Sequence, residues 1–175
     1  MQAESFFAGI LRNLPAIAAI SLPIDASYVR VESGMWSGGE YACWGWENRE
    51  TPLRRITLSR FEFKLMCATA NPYLTMAALL AAAIDGLEHK LPLVAGDCKS
   101  EASRLTAEER RLLGITAKLP ISIEESLEAL QMNTALVRGL GESMIEAYIA
   151  ITRGWNEVLR QMDKQERHNY IIEHY

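Results

Sequence analysis

The feature that most constrains the fold is an apolar stretch that follows Asn71-Pro72 and continues to about Lys90. At a helix start, asparagine accepts hydrogen bonds from the free amides of the first turn, and proline at the first helical position loses no hydrogen bond. We therefore predict a long helix here. Apolar residues occupy nearly its whole circumference, so the helix should be central, with Leu80 and Ile84 almost inaccessible to solvent.

Three short strands are predicted before this helix. The last of them is the clearest, because aromatic Phe61 and Phe63 alternate with charged residues such as Glu62, which places the two kinds on opposite faces. We expect Phe61 and Phe63 to be nearly inaccessible to solvent. The connections between the segments are short, and short connections favour antiparallel pairing. The predicted strands are Tyr41–Glu47, Leu53–Leu58 and Arg60–Met66.

The segment that precedes the strands is predicted to be an amphipathic helix followed by a loop. Glu4–Leu14 has apolar residues at helical spacing. Pro15 should break or kink that helix, and Ala16–Ile20 can continue it for a turn or two. Asp25–Gly39 contains several Ser-Gly turn signals, so we predict a loop there.

The last part of the chain is predicted to be a helical tail. Capping-box sequences begin at Thr106 and Ser122. A last amphipathic helix begins near Glu142 and extends as far as Tyr175. The fold class is therefore α+β, a small antiparallel sheet followed by packed helices. We predict one domain over 1–175, with strands in 41–66, a buried helix over 71–90 and the helical tail over 106–175.

Charge and hydropathy exclude several classes of partner. The net charge of −4 and the isoelectric point near 5.5 argue against nucleic acid and membrane, because nucleic acid and anionic membranes both select for clustered positive charge. The longest apolar run, Leu74–Ile84, is much shorter than the roughly 20 residues that span a bilayer. The cysteines are widely spaced and the start lacks a signal-peptide pattern, so we expect a cytoplasmic protein with free thiols at Cys43, Cys67 and Cys98.

Positive charge is concentrated around the predicted strands, although the protein is acidic overall. Because the guanidinium group binds carboxylates and phosphates through two parallel hydrogen bonds, such a cluster is suited to an anionic ligand. The alternative is a solvated sheet face whose arginines form cross-strand ion pairs with nearby glutamates, which is common in antiparallel sheets. The residues alone leave both interpretations open. The cluster comprises Arg30, Arg49, Arg54, Arg55, Arg60 and Lys64.

Candidate metal ligands are sparse. Glu62 lies between Arg60 and Lys64 in the sequence, and it is either a metal ligand or their ion-pair partner. One glutamate cannot make a site, since hard divalent ions take several oxygen ligands. Asp85 and His89 share a helix face, but a polar helix end accounts for them better than a two-ligand metal site does.

Longer strings of residues carry a resemblance to a known family. Ala70–Leu74 and the residues that follow, MAALLAAAIDGLEHKL, closely resemble the glutamine synthetase sequence ANPYLALAALLAAGLDGI. The likeness covers essentially the whole chain in the right order, and the Trp-Ser-Gly-Gly loop is most like the fungal FluG-type branch of the family. Further matches are Phe6–Leu11 with FIAGLL, Ser27–Arg30 with SYKR, Glu47–Arg49 with RNR and Arg60–Lys64 with RRIEVR.

The resemblance implies a reaction. Glutamine synthetases transfer phosphate from ATP to the side-chain carboxylate of glutamate, and ammonia then displaces phosphate from the acyl phosphate. The chain would be the C-terminal portion of the catalytic domain of such an ATP-dependent carboxylate–amine ligase. ATP and Mg2+ or Mn2+ are the implied cofactors, glutamate and an amine the implied substrates, and a homo-oligomer the implied state of the complete protein.

The resemblance also implies roles for individual residues. Arg30 and Lys64 match residues that grip the glutamate substrate. Arg49 matches the arginine that steadies the transferred phosphoryl group, which makes it the catalytic candidate and an ATP-binding one. Arg54 matches an arginine on the nucleotide phosphates. Glu62 is similar to a carboxylate ligand of the divalent metal.

Two departures from the family pattern bear on activity. Gly34-Met35-Trp36 stands where the family has GYE in a mobile flap, so the glutamate that accepts a proton from ammonium is absent. Lys64 stands in place of a second substrate-gripping arginine, which keeps the charge but loses the planar fork. The chain also begins after the strands that carry most of the family's metal ligands. We therefore expect the isolated chain to be inactive.

Two other hypotheses belong to different classes. One is a non-catalytic regulatory protein that retains the glutamine synthetase fold. The other is a helical interaction module that acts through the long C-terminal helix.

Overall fold

The structure is a computed structural model that describes residues 2–58 and 60–175. Within these residues a small sheet is followed mainly by helices, which confirms the α+β class. No helix among them combines the length and hydropathy that crossing a membrane requires. The strands are β1 (Trp44–Trp46), β2 (Leu53–Arg55) and β3 (Phe61–Phe63). The α-helices are α1 (Gln2–Ser21), α2 (Pro72–Glu88), α3 (Ala107–Leu112), α4 (Ile123–Gln131), α5 (Thr134–Leu140), α6 (Glu142–Gln161) and α7 (Lys164–His174).

Helix α1 lies at the centre of the hydrophobic core. Most of its residues from Ala8 to Ser21 are buried, with α2 and α4 as the main neighbours. The helix continues through Pro15 to Ser21, so of the two expected effects of this proline the break does not occur. Packing against two helices holds the segment helical even though proline removes one backbone hydrogen bond.

The crossing of α1 and α2 depends on two glycines that face each other. A methyl group added to Gly9 would lie 2.2 Å from the carbonyl oxygen of Ala82, and one added to Gly86 would lie 2.1 Å from the carbonyl oxygen of Ser5. Neither position has room for a side chain, so the backbones of the two helices are in contact there. Three further buried residues of α2 are the alanines Ala78, Ala82 and Ala83.

Several bulky side chains of α2 lie at the surface, away from the crossing. Leu80 is 46% exposed and Ile84 is 49% exposed, so the expected burial of these two residues is wrong. These residues are exposed because the backbones of α1 and α2 approach each other closely in the core. Because α1 meets α2 on its glycine–alanine face, the opposite face, which carries Met76, Leu80 and Ile84, is left at the surface.

The predicted helix starts are confirmed. Asn71 Oδ1 accepts hydrogen bonds from the amides of Tyr73 at 2.9 Å and Leu74 at 3.2 Å, at the start of α2. Thr106 forms a complete capping box with Glu109 ahead of α3. Ser122 caps α4.

Several segments contain more helix, or a different division of helices, than expected. Asn133 begins the unpredicted helix α5 by accepting a hydrogen bond from the Leu136 amide. The expected single helix beyond Glu142 is divided into α6 and α7, because Asp163 leaves the helical conformation and caps α7. In the segment predicted as a loop, Asp25–Val31 forms a 3-10 helix.

The sheet is small and mixed. Strand β2 is central, antiparallel to β3 as predicted but parallel to β1. The parallel pairing corrects the expected hairpin between the first two strands. Each strand is only three residues long and spans about 10 Å. The six-residue connection 47–52 is therefore long enough to bring the chain back to the start of β1, where β2 begins in the parallel direction. Asn48 holds this connection by accepting from the Glu50 amide at 2.9 Å.

Candidate functional site

One face of the sheet carries an arginine between two carboxylates. Arg54 on β2 is directly opposite Glu62 on β3, and its Nη1 donates to Glu62 Oε2 at 3.1 Å. Its Nη2 donates to Glu47, which follows β1. Pairing with Glu47 and then Glu62 raises the pKa of Arg54, so the guanidinium stays charged. We call these three residues the charged face.

The charged face is partly closed to solvent. The side chain of Arg54 is 17% exposed, and its Nε is buried without a hydrogen-bond partner among the described residues. A buried unpaired donor on a guanidinium costs free energy unless a ligand or water satisfies it. The backbone of Glu47 has a φ of 54°, a conformation that non-glycine residues rarely adopt and that occurs more often near functional sites.

The other face of the sheet is aromatic. Arg55, next to Arg54 in sequence, lies over the rings of Trp46 at 4.7 Å and Phe61 at 5.5 Å, so it takes no part in the charged face. Phe61 in turn stacks on Phe7 of α1 at 3.5 Å between ring centroids. The predicted alternation in β3 is therefore confirmed. Phe61 and Phe63 are partly buried rather than inaccessible, because only the side toward α1 is covered.

Arg30 lies at the far end of β3 from the Glu47 side chain. It is carried by the 3-10 helix, and its Nη2 donates to the backbone carbonyl of Lys64 at 3.2 Å. Its Nε, like that of Arg54, is buried without a partner among the described residues. The structure thus places the Arg30 guanidinium against the backbone of Lys64, the residue immediately after the strand that carries Glu62.

Arg49 stands apart from these contacts. It lies in the exposed turn after β1 and forms no hydrogen bond or ion pair with the rest of residues 2–58 and 60–175. The structure therefore joins Arg54 to Glu62 and Arg30 to Lys64, and it leaves Arg49 free. Convergence of Arg30, Arg49, Arg54 and Glu62 on one concave surface stays a prediction.

A buried glutamate that the sequence did not indicate anchors the loop 32–39. Glu101 accepts hydrogen bonds from the Ser33 hydroxyl and from the Gly34 amide at 2.7 Å. The hydrogen bond from Ser33 lowers the pKa of Glu101. Beyond this anchor Trp36 is 62% exposed, with a φ of 54°. No local pattern links Glu101 to a loop so far away in the sequence, so only the fold could reveal it.

The residues present do not make a divalent-metal site by themselves. Among the described residues, no group of three or more histidine, cysteine, aspartate or glutamate side chains is close enough to hold a metal ion. Glu62 and Glu47 are two carboxylates held near each other by Arg54, which provides fewer oxygen ligands than Mg2+ or Ca2+ take. Glu62 can therefore serve as one ligand of a site that other groups complete.

Asp85 and His89 have a structural role. Asp85 is buried at the end of α2 and pairs with Arg138 of α5 at 3.0 Å and with His89 at 3.2 Å. The Arg138 ion pair links two helices that are far apart in sequence. This arrangement agrees with the polar-helix-end interpretation of the two residues.

Comparison with known proteins identifies the family. The model of the glutamine synthetase catalytic domain matches residues 1–170. The chain belongs to the glutamine synthetase family. Protein fluG of Emericella nidulans is 44% identical over 172 residues, which are 98% of this chain and 20% of that protein. Gamma-glutamylpolyamine synthetase GlnA3 of Streptomyces coelicolor is 34% identical over 161 residues, 87% of this chain and 34% of that protein.

Solved structures of similar proteins agree with this assignment. The GmaS/ADP complex has a TM-score of 0.76 at 25% identity and covers 96% of this chain. A novel glutamine synthase homolog has a TM-score of 0.72 at 32% identity and covers 98% of this chain. The chain spans 39% of the first and 38% of the second, and 38% of the glutamine synthetase of Staphylococcus epidermidis. It therefore corresponds to less than half the length of each of these.

Proposed function

We propose that this chain contributes the phosphate- and glutamate-binding arginines of an ATP-dependent carboxylate–amine ligase that acts through an acyl phosphate. The observation that carries the proposal is the charged face, where Arg54 and Glu62 are directly opposite on adjacent strands. A fixed guanidinium beside a carboxylate suits a phosphate that is shared between an arginine and a metal ion. In phosphoryl transfer such groups stabilise charge that grows in the transition state.

The proposed roles follow from the positions of the residues. Arg54 would hold the nucleotide phosphates. Arg30 and Lys64, at the end of β3, would bind the glutamate substrate. Arg49, which has no partner among the described residues, is available to move onto the transferred phosphoryl group. Arg30 and Arg54 each have a buried Nε donor without a partner among the described residues. These donors favour an anion-binding site over a purely structural network of ion pairs.

Cofactors belong to the complete protein in this proposal. Bound Mg2+ or Mn2+ would neutralise the phosphates of ATP, with Glu62 as one of several ligands. The described residues bring too few ligands together to hold that ion without further groups. We accordingly propose that the isolated chain turns over no glutamate and binds nucleotide weakly. For the complete protein we propose a homo-oligomeric, cytoplasmic ligase that acts on glutamate and an amine. We propose neither nucleic acid nor membrane as its partner.

A non-catalytic protein that retains the fold is the second candidate. Two observations favour it. Trp36 stands where the family flap has a glutamate, so a proton acceptor for ammonium is missing. Glu47 already occupies part of the hydrogen-bonding capacity of Arg54, so an incoming phosphate would have to share or displace that contact.

The deciding experiment uses a complete protein that includes this chain. It is mixed with ATP, magnesium, glutamate and a panel of amines, and phosphate release is followed. Amine-dependent release that is lost in Glu62→Ala supports the ligase. No release with any amine, while nucleotide binding persists, supports the non-catalytic protein. Glutamine formation by the 175-residue chain alone would contradict the proposed inactivity of that chain.

A further inference from the structure

Two buried cysteines lie side by side outside the charged face. Cys43 immediately precedes β1 and Cys98 lies in the segment 95–100, and the two belong to a small hydrophobic cluster that is separate from the main core. The Cys98 thiol donates a hydrogen bond to the Ser100 carbonyl at 3.1 Å, and the neighbouring Cys43 thiol alters its pKa. The third cysteine, Cys67, is partly exposed and is not in this cluster. No local pattern indicates that the two cysteines are neighbours, because 54 residues separate them along the chain.

The backbone around the two thiols is held in a fixed position. The Cys98 amide donates to the Trp44 carbonyl at 3.1 Å, and the Trp46 amide donates to Asp97 Oδ1 at 2.7 Å. Gly45 has no room for a side chain, since an added methyl would lie 2.3 Å from the Cys98 carbonyl oxygen. Segment 95–100 therefore runs directly along β1, and this contact sets the distance between the thiols.

We propose that Cys43 and Cys98 are a redox modification site, at which a low-molecular-weight disulfide oxidises the two thiols to a reversible intramolecular disulfide. The Cys98 thiolate attacks the small disulfide, forms a mixed disulfide and releases one small thiol. Cys43 then loses its proton, attacks the Cys98 sulfur and releases the second small thiol. Two electrons and two protons leave the protein thiols, and the small disulfide is reduced to two thiols.

The electrostatics of the pair favour this order of attack. The neighbouring Cys43 thiol lowers the pKa of Cys98, whereas the neighbouring Cys98 thiol raises the pKa of Cys43 well above its usual range. Cys98 is therefore the thiol that ionises first and attacks first. Cys98 is also next to the exposed residues Lys99 and Ser100, so local opening of this segment would expose it to a small oxidant.

The disulfide would fix two parts of the molecule that surround the candidate site. Asn48, next to Arg49, donates to the carbonyls of Cys98 at 2.7 Å and Ser100 at 3.0 Å. Glu101, three residues beyond Cys98, anchors the loop 32–39. A covalent link between Cys98 and the start of β1 therefore restrains both the Arg49 turn and the Glu101 anchor.

The test uses oxidised glutathione with the reduced chain, followed by blocking of free thiols and digestion with trypsin without reductant. Trypsin places the three cysteines on different peptides, 31–49 for Cys43, 65–90 for Cys67 and 91–99 for Cys98. We expect a cross-link between peptides 31–49 and 91–99 that dithiothreitol reverses. Glutathione on Cys67, together with Cys43 and Cys98 that stay reduced, would overturn the proposal.

Variants and stability provide an independent check. Cys67→Ala should leave the cross-link unchanged, and Cys43→Ala should abolish it. Because a substitution at a buried position can disturb folding, the melting temperature of the unaltered chain is compared in its oxidised and reduced forms. Closing a loop of this length should raise Tm by about 5 °C or more. An unchanged or lower Tm after oxidation would show that the native fold does not accommodate the bond, and would also overturn the proposal.

Discussion

The crossing of α1 and α2 and the charged face of the sheet are stabilised by different kinds of interaction. At the crossing, Gly9 and Gly86 bring two backbones into contact over a densely packed core. At the charged face, partly exposed Arg54 is paired with Glu47 and Glu62. Close packing depends on shape and is little affected by salt, whereas partly exposed ion pairs are screened and contribute little to stability. The crossing therefore carries stability, and the charged face can serve binding.

The largest effect is expected at the crossing. Gly86→Ala should lower the free energy of unfolding by about 2 kcal/mol, because the helices must separate to admit the methyl group, even though alanine has the higher helix propensity. Gly154 in α6 is the matched control, since nothing lies within 4 Å of an added methyl there. Gly154→Ala should raise stability by roughly 0.5–1 kcal/mol. Denaturation in urea measures both, and stabilisation by both substitutions would rule out the close crossing.

The buried and exposed faces of α2 can be compared by placing a glutamine on each. Ala82→Gln places an amide on the buried face and should destabilise the chain by about 2 kcal/mol. Leu80→Gln, on the exposed face, should change stability by less than about 1 kcal/mol. It should also reduce binding of the dye ANS, because it interrupts an exposed apolar stripe. An equal loss of stability in the two variants would mean that Leu80 is covered in solution.

A smaller, pH-dependent effect is expected at Glu101. Its folded-state pKa is lowered, so its contribution to stability is complete above the unfolded pKa of about 4.3 and is lost as the pH falls through the folded value. The protection factor of the Gly34 amide, which compares its exchange rate with that of an unstructured peptide at the same pH, should therefore fall in acid. In Glu101→Gln this protection factor should be lower already at pH 7 and should depend less on acid. Identical exchange profiles in the two proteins would contradict the anchor.

The smallest effect on stability is expected at the charged face. Arg54→Gln should change the urea midpoint less than any substitution above, and 0.5 M salt should reduce the difference. Binding of inorganic triphosphate, weak and salt-sensitive in the unaltered chain, should be lost in this variant. Arg111, which pairs with Glu108 on helix α3, is the control. Equal loss of triphosphate binding in Arg111→Gln would show that the binding is non-specific.

Part of the candidate site followed from the sequence. The alternation in β3 predicted that Glu62 and Phe61 lie on opposite faces of the sheet, and the structure agrees. The ion pair between Arg54 and Glu62 belongs to one of the two interpretations that the sequence left open, a sheet face with cross-strand ion pairs. The contact of Arg30 with Lys64 and the anchoring of loop 32–39 by Glu101 could not be predicted, because each joins residues that are distant in sequence and follow no periodic pattern.

The sequence by itself determined the helix starts, the alternation in β3 and the family. Caps and alternation depend on neighbours within a few residues, so Asn71, Thr106 and Ser122 could be recognised from local chemistry alone. Only the tertiary structure decided which face of α2 is buried and that β1 runs parallel to β2. Hydrophobicity marked Leu80 and Ile84 as core residues, but the contact with α1 required the smallest side chains. Close packing selects for shape as well as polarity, and shape complementarity exists only once two segments meet.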